Sequence, residues 1–200
     1  MKSLVLSSLL IGVTSTTQAA IVFSEIQNII IPFDFDGVYL NVSTGQSGTT
    51  EPSNFETSPT VNFFFGGVGI ATDNLFRPVT DNEGRVLSLT AGSQVGASLN
   101  FAGSPNGSET HTGSADDQFQ LTESGYMGFS FKITGDETSP YYGWLKFTPS
   151  SSGGAVIESW AVESTPGLSI QVGIIPEPSS AAVLGTLCCS LAFLRRQRSR

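Results

Sequence analysis

The chain has little of what hydrolytic and metal-dependent enzymes most often use. Histidine occurs once, as His111, and cysteine only as the adjacent pair Cys188 and Cys189. A histidine base needs neighbours that orient it. His111 stands in a polar Thr-His-Thr stretch and reads as a solvated loop residue. A zinc site needs about four nitrogen, sulfur or carboxylate ligands. A body with one histidine and no cysteine argues against one. Neighbouring cysteines close only a strained ring with each other, so the body must fold on its core without a disulfide. No catalytic residue, metal or cofactor is expected.

Charge is also scarce, at 13% of residues, and unevenly placed. Between Ile21 and Ile175 the only bases are Arg77, Arg85, Lys132 and Lys146, against sixteen acids. Such a body repels phosphate, and no basic aromatic stripe offsets this, so nucleic acid is excluded as a partner. The acids read as a solubilising surface. Scattered carboxylates do not by themselves make the spaced pair of a glycoside hydrolase.

Long helical stripes and heptads are missing too. In their place stand 22 glycines, 10 prolines and many serines, threonines and phenylalanines, a mixture that suits short strands joined by turns. Alternation marks several strands. Phe129, Phe131 and Ile133 are expected on one face, and Leu145 and Phe147 on another, opposite Trp144 and Lys146. Val156, Trp160 and Val162 are expected to share a face on which Glu158 is the exception. Val38–Val42 and Val86–Thr90 read the same way. Val61–Phe65 is a nearly continuous apolar run, like a strand buried on both faces. Asn82-Glu83-Gly84, Asn106-Gly107, Thr134-Gly135-Asp136 and Ser152-Gly153-Gly154 read as turns. Residues 43–59 and 102–117 read as long loops. The expected fold is all-β, an antiparallel β-sandwich or jelly roll over residues 20–175.

Three aromatic residues, Tyr142, Trp144 and Trp160, are candidates for stacking on sugar rings, although aromatics more often fill a core. Asp34-Phe35-Asp36-Gly37 invites a calcium reading. An EF-type loop, however, wants oxygen ligands where Val38 and Gly45 stand, so a strand-to-turn transition is expected. Asp116-Asp117 and Asp136-Glu137 could join a split site that the sequence does not define.

The two ends differ from the body. Lys2, the apolar run Leu4–Val13 and the small residues before Ala19 have the layout of a signal peptide. A helical signal over residues 1–19, cut after Ala19 rather than Ala20, is expected, which implies the Sec translocon and signal peptidase as partners. At the other end, Pro176-Glu177-Pro178-Ser179 breaks any regular structure. An uncharged run follows to Leu194, expected to be a short hydrophobic helix. It is marginal for a full membrane span. Arg195, Arg196 and Arg198 come next. Positive flanks stay in the cytoplasm, so the body would lie outside.

This order of Pro-Glu-Pro-Ser, weak apolar run and arginine cluster resembles the PEP-CTERM sorting signal. The resemblance assigns residues 176–200 to a tail recognised by an exosortase and removed on the way to the surface. The tail would enter the membrane only transiently, much as a GPI signal does. Tyr142-Gly143-Trp144, Trp160-Ala161 and Pro166-Gly167 resemble strands that often precede such tails. The resemblance implies an exported protein of the cell surface or extracellular matrix. A structural or adhesive role is expected, or alternatively a carbohydrate-binding module of the exopolysaccharide.

Overall fold

The computed structural model describes residues 20–72, 75–102, 108–109, 117–135 and 139–175. The expected signal peptide with Ala19, the tail from Pro176 onward, His111, Asp116 and Asp136-Glu137 lie outside the described residues.

The body is all-β, and its strands pair antiparallel throughout. Six strands form the larger sheet. They are β1 (Ile21–Phe23), β2 (Ile29–Ile31), β7 (Phe76–Pro78), β10 (Gly125–Phe131), β11 (Tyr141–Thr148) and β12 (Ala155–Glu163), in the order β1-β12-β11-β10-β7, with β2 also on β12. Five form a second sheet, in the order β4-β3-β5-β6-β9. These are β3 (Val38–Asn41), β4 (Ser47–Gly48), β5 (Thr60–Phe64), β6 (Gly69–Thr72) and β9 (Ser108–Glu109). A small ladder joins β8 (Gln94–Val95) to β13 (Ile170–Gln171).

The two larger sheets share one core. Val38, Leu40, Val61, Phe63 and Ile70 of the second sheet pack against Met127, Phe129, Leu145, Phe147 and Ile157 of the first. Phe63 and Phe147 meet at 5.0 Å between ring centres. Removing each such side chain from water stabilises the fold by about 1.5–3 kcal/mol. The Trp160 indole N–H of the first sheet donates to the Val42 carbonyl at 3.2 Å, tying the two layers together.

The larger sheet is covered on its other face as well. There Tyr142, Trp144 and Ala161 pack with Val79, Val95, Ile170 and Val172, from the 79–101 segment and the β13 ladder. Strand β11 is therefore buried on both sides, which explains why Trp144 and Leu145 can be adjacent and both inside.

Alternation holds where expected for Leu145 and Phe147, and for Phe129 and Phe131. Four expectations need correction. Ile133 lies beyond the end of β10 and is 43% exposed. Phe65 leaves β5 for a tight turn and is 40% exposed, so the buried run stops at Phe63. Val86–Thr90 makes only isolated bridges, at Val86 and Leu89. In β12 the face is set by a bulge. Lys146 pairs with Ser159 and Phe147 with Ile157, which leaves Glu158 unpaired. An extra residue reverses the alternation. Ala155 and Ile157 before it and Trp160 and Val162 after it all reach the shared core, while Val156 does not.

Candidate functional site

The three aromatic candidates for sugar contact are inside the protein. Tyr142, Trp144 and Trp160 are 3%, 1% and 5% exposed. Trp144 packs edge-on against Tyr126, at 5.5 Å between ring centres. Stacking on a sugar needs an open ring face, so of the two readings these residues fit core filling and not sugar contact. Trp160 touches the wall of a cleft between Val22, Ser24 and Gly45, but its indole N–H is spent on Val42.

The Asp34–Gly37 stretch forms a turn. One Asp34 carboxylate oxygen accepts the Gly37 N–H at 2.7 Å. Among the described residues no three His, Cys, Asp or Glu side chains gather where one ion could bind them. The acids are not all solvated surface either. Glu163 is 2% exposed, and one of its oxygens accepts the Thr165 N–H.

A polar cluster grows from the β12 bulge. Glu158 accepts from Lys146 at 2.6 Å, from Thr148 at 3.0 Å and from the Ser124 hydroxyl. Partial burial pushes the Glu158 carboxyl up, but these donors outweigh it and hold it below the ordinary range. The bond to Glu158 raises the Lys146 ammonium, with burial opposing. A nucleophilic serine needs a base able to take its proton. Here the lysine is held charged and the glutamate is held as an acceptor between three donors. The arrangement is an ion pair between neighbouring strands.

Two surface features stand apart from the core. The first is a groove on the outer face of the second sheet. Tyr39 and Asn41 of β3 and Thr60 of β5 form its floor, with Gln46 and Ser47 on one side and Asn54 on the other. Phe55 packs edge-on against Tyr39, at 5.3 Å between ring centres. Burial raises the Tyr39 phenol. The Asn62 amide opposes this, and the Glu51 and Asp36 carboxylates reinforce it. The groove thus offers an aromatic ring, a neutral phenol and several amides.

The second feature is a cluster of phenylalanines on two adjoining connections, one between the sheets and one within the second sheet. The 32–37 loop joins β2 to β3, and the 65–67 turn joins β5 to β6. Phe33, Phe35 and Phe65 are 52%, 75% and 40% exposed, and Phe64 is half-buried beside them. Phe35 meets Phe64 at 6.0 Å and Phe65 at 6.1 Å, and Phe33 meets Phe65 at 6.1 Å.

The backbone under these rings is tied down. Phe65 N–H donates to the Asp34 carbonyl at 2.8 Å and Gly66 N–H to the Pro32 carbonyl at 2.9 Å. Ser150 N–H, from the β11–β12 loop, donates to the Gly66 carbonyl at 2.9 Å. Phe65 itself adopts φ 48°, a left-handed conformation that bulky residues avoid. Strain of this kind persists only where the surroundings enforce it, and it gathers at functional surfaces.

Neither surface feature follows from strand periodicity. The signal was present in Pro-Phe-Asp-Phe-Asp-Gly and Phe-Phe-Phe-Gly-Gly, where apolar rings sit beside turn residues. No helix among the described residues is long and apolar enough to cross a membrane.

The fold and these features define a class: an antiparallel all-β body with a polar groove and an exposed phenylalanine cluster on its surface. No family model, no curated protein and no solved structure matches the chain.

Proposed function

We propose that the chain is an exported protein of the cell surface or extracellular matrix, with an adhesive or structural role and no catalytic activity. Its body is read as a β-sandwich, which the core shared by two sheets supports. Delivery rests on the signal-peptide layout ahead of Ala20 and on the PEP-CTERM-like tail from Pro176, which an exosortase would process. The observation that carries the adhesive role is the phenylalanine cluster. Exposed apolar patches on soluble bodies mark interaction sites, and this one is held on locked loops.

The test combines location and mass. Cells producing the protein should hold it on the surface or in the matrix, with an intact mass that ends near the Pro-Glu-Pro segment. Phe35→Ala should shift it toward the medium without lowering its yield. A surface form still ending at Arg200 would overturn the processing step. Unchanged retention of Phe35→Ala would overturn the adhesive role of the patch.

A second reading, a carbohydrate-binding module, is favoured by the Tyr39 groove, because an aromatic ring flanked by amides suits neutral sugar hydroxyls. A glycan-binding screen of the purified protein tests it. Binding lost in Tyr39→Ala and Asn54→Ala supports the groove, and the absence of any polymer binding rejects it.

A further inference from the structure

We propose that the Phe33–Phe35–Phe65 patch docks a cationic segment of a protein partner, one that carries arginine or lysine beside apolar side chains. The inference rests on the adhesive reading and names the partner chemistry for it.

Charge selects the partner. Phe35 lies between Asp34 and Asp36, both exposed, and neither is ion-paired among the described residues. Lys132 and Lys146 lie on or just past the strands of the other sheet, and Arg85 is engaged by Asp81 and Glu83. The body as a whole has a large surplus of acids. Ring faces attract cations through their quadrupoles, and two carboxylates with no cationic partner among the described residues add to that attraction. A guanidinium or ammonium group reaching Phe35 meets both at once, while its apolar neighbours cover Phe33 and Phe65.

Other occupants fit less well. A second copy of this chain would bring its own Asp34 and Asp36 to the same contact, and like charges facing each other at an interface are costly. Inserting Phe35 into a bilayer would drag the two carboxylates into the headgroup region, where anionic lipids repel them. A pyranose ring wants a flat platform, but these rings are tilted to one another by 50–64°.

The test uses the purified protein and a labelled octapeptide of alternating arginine and leucine, read by fluorescence anisotropy. A glutamine–leucine octapeptide is the uncharged control. The arginine peptide should bind at least about tenfold more tightly than the control, and its affinity should fall as salt rises. Phe35→Ala should weaken it by about tenfold. Asp34→Asn with Asp36→Asn should weaken it by about threefold or more and flatten the salt dependence. Asparagine keeps the oxygen that accepts the Gly37 N–H, so this variant leaves the loop intact. Ile26→Ala, an exposed position in the β1–β2 connection outside the 32–37 and 65–67 segments, should bind as the wild type does.

Equal binding of both peptides would overturn the proposal, as would indifference to the Asp34/Asp36 change. Patch-dependent partition into phosphatidylcholine vesicles, or patch-dependent self-association in sedimentation, would assign the patch to another occupant and also overturn it. Failure with the arginine peptide while Phe35→Ala still releases the protein from the surface sinks this inference alone. Failure of both sinks the adhesive reading as well.

Discussion

Glu158 lies 2.6 Å from Lys146 on the neighbouring strand because β12 carries one residue more than β11 at that point. The extra residue keeps a carboxylate out of the shared core and returns Trp160 to it. One irregularity thus sets both the ion pair and the register of the longest strand. From the pair follows the first prediction.

A carboxyl held below its ordinary pKa contributes stability above its unfolded value, near 4.3, and loses that contribution as the pH falls through the folded value. A raised ammonium contributes below about 10.4 and loses its contribution as the pH rises through the folded value. Glu158 is of the first kind and Lys146 of the second. Glu158→Gln should therefore cost about 1 kcal/mol at neutral pH, a modest figure because both groups are partly solvated. The gap should close as the pH drops below about 4. Urea unfolding of both proteins across that range checks it, and a gap that persists in acid would count against the pair.

Gly37 and Gly66 are predicted to tolerate no side chain. Both have positive φ, and a Cβ would run into the Phe63 carbonyl oxygen and the Ser150 carbonyl oxygen respectively. Each change to alanine should cost about 3 kcal/mol or more, combining strain with a displaced backbone. Gly84 also has positive φ but open space around it, so Gly84→Ala should cost only about 1 kcal/mol. Thermal melts of the three variants give the ranking.

The two tryptophans should respond differently to phenylalanine. Trp160→Phe removes the donor to the Val42 carbonyl and leaves that oxygen without it, at a cost of about 1–3 kcal/mol beyond the lost packing. The Trp144 indole N–H is buried without a partner, so Trp144→Phe removes an unsatisfied donor along with some volume. Denaturant melts should find Trp160→Phe the more destabilised. The reverse order would show that volume, not hydrogen bonding, governs both sites.

The Tyr39 phenol should ionise later than a free tyrosine, since burial and the Glu51 and Asp36 carboxylates outweigh the Asn62 amide. The difference in phenolate absorbance between wild type and Tyr39→Phe isolates its titration. Glu51→Gln should move that titration to lower pH, and no movement would remove Glu51 from its surroundings.

Strand content and the inward faces of β10 and β11 could be read from the sequence because Phe129-Ser130-Phe131 and Leu145-Lys146-Phe147 alternate cleanly. The bulge could not, since a period-two pattern cannot reveal where a period of two is broken. Glu158 was the clue, an acid in an apolar row. Tyr142, Trp144 and Trp160 were read as candidates for an open surface because a single strand does not disclose that both sheet faces are covered. That cover comes from residues 79–101 and 170–172, distant in the chain and weakly patterned. The phenylalanine cluster was hidden for a related reason. Its rings come from two connections about thirty residues apart, and their meeting depends on main-chain bonds that no side chain announces.

The short β8–β13 ladder has a mechanical consequence. It holds only two residue pairs and lies between the large sheet and the last described residue, Ile175. A pull applied at Ile175 loads this ladder before it loads the long pairing of β11 with β12. We expect it to act as a fuse, yielding first and stripping Ile170 and Val172 from Tyr142 and Trp144 while the rest of the sheet stays folded. Single-molecule stretching from the C-terminal side should then record a small early extension ahead of the main rupture, and a single rupture with no such step would refute it.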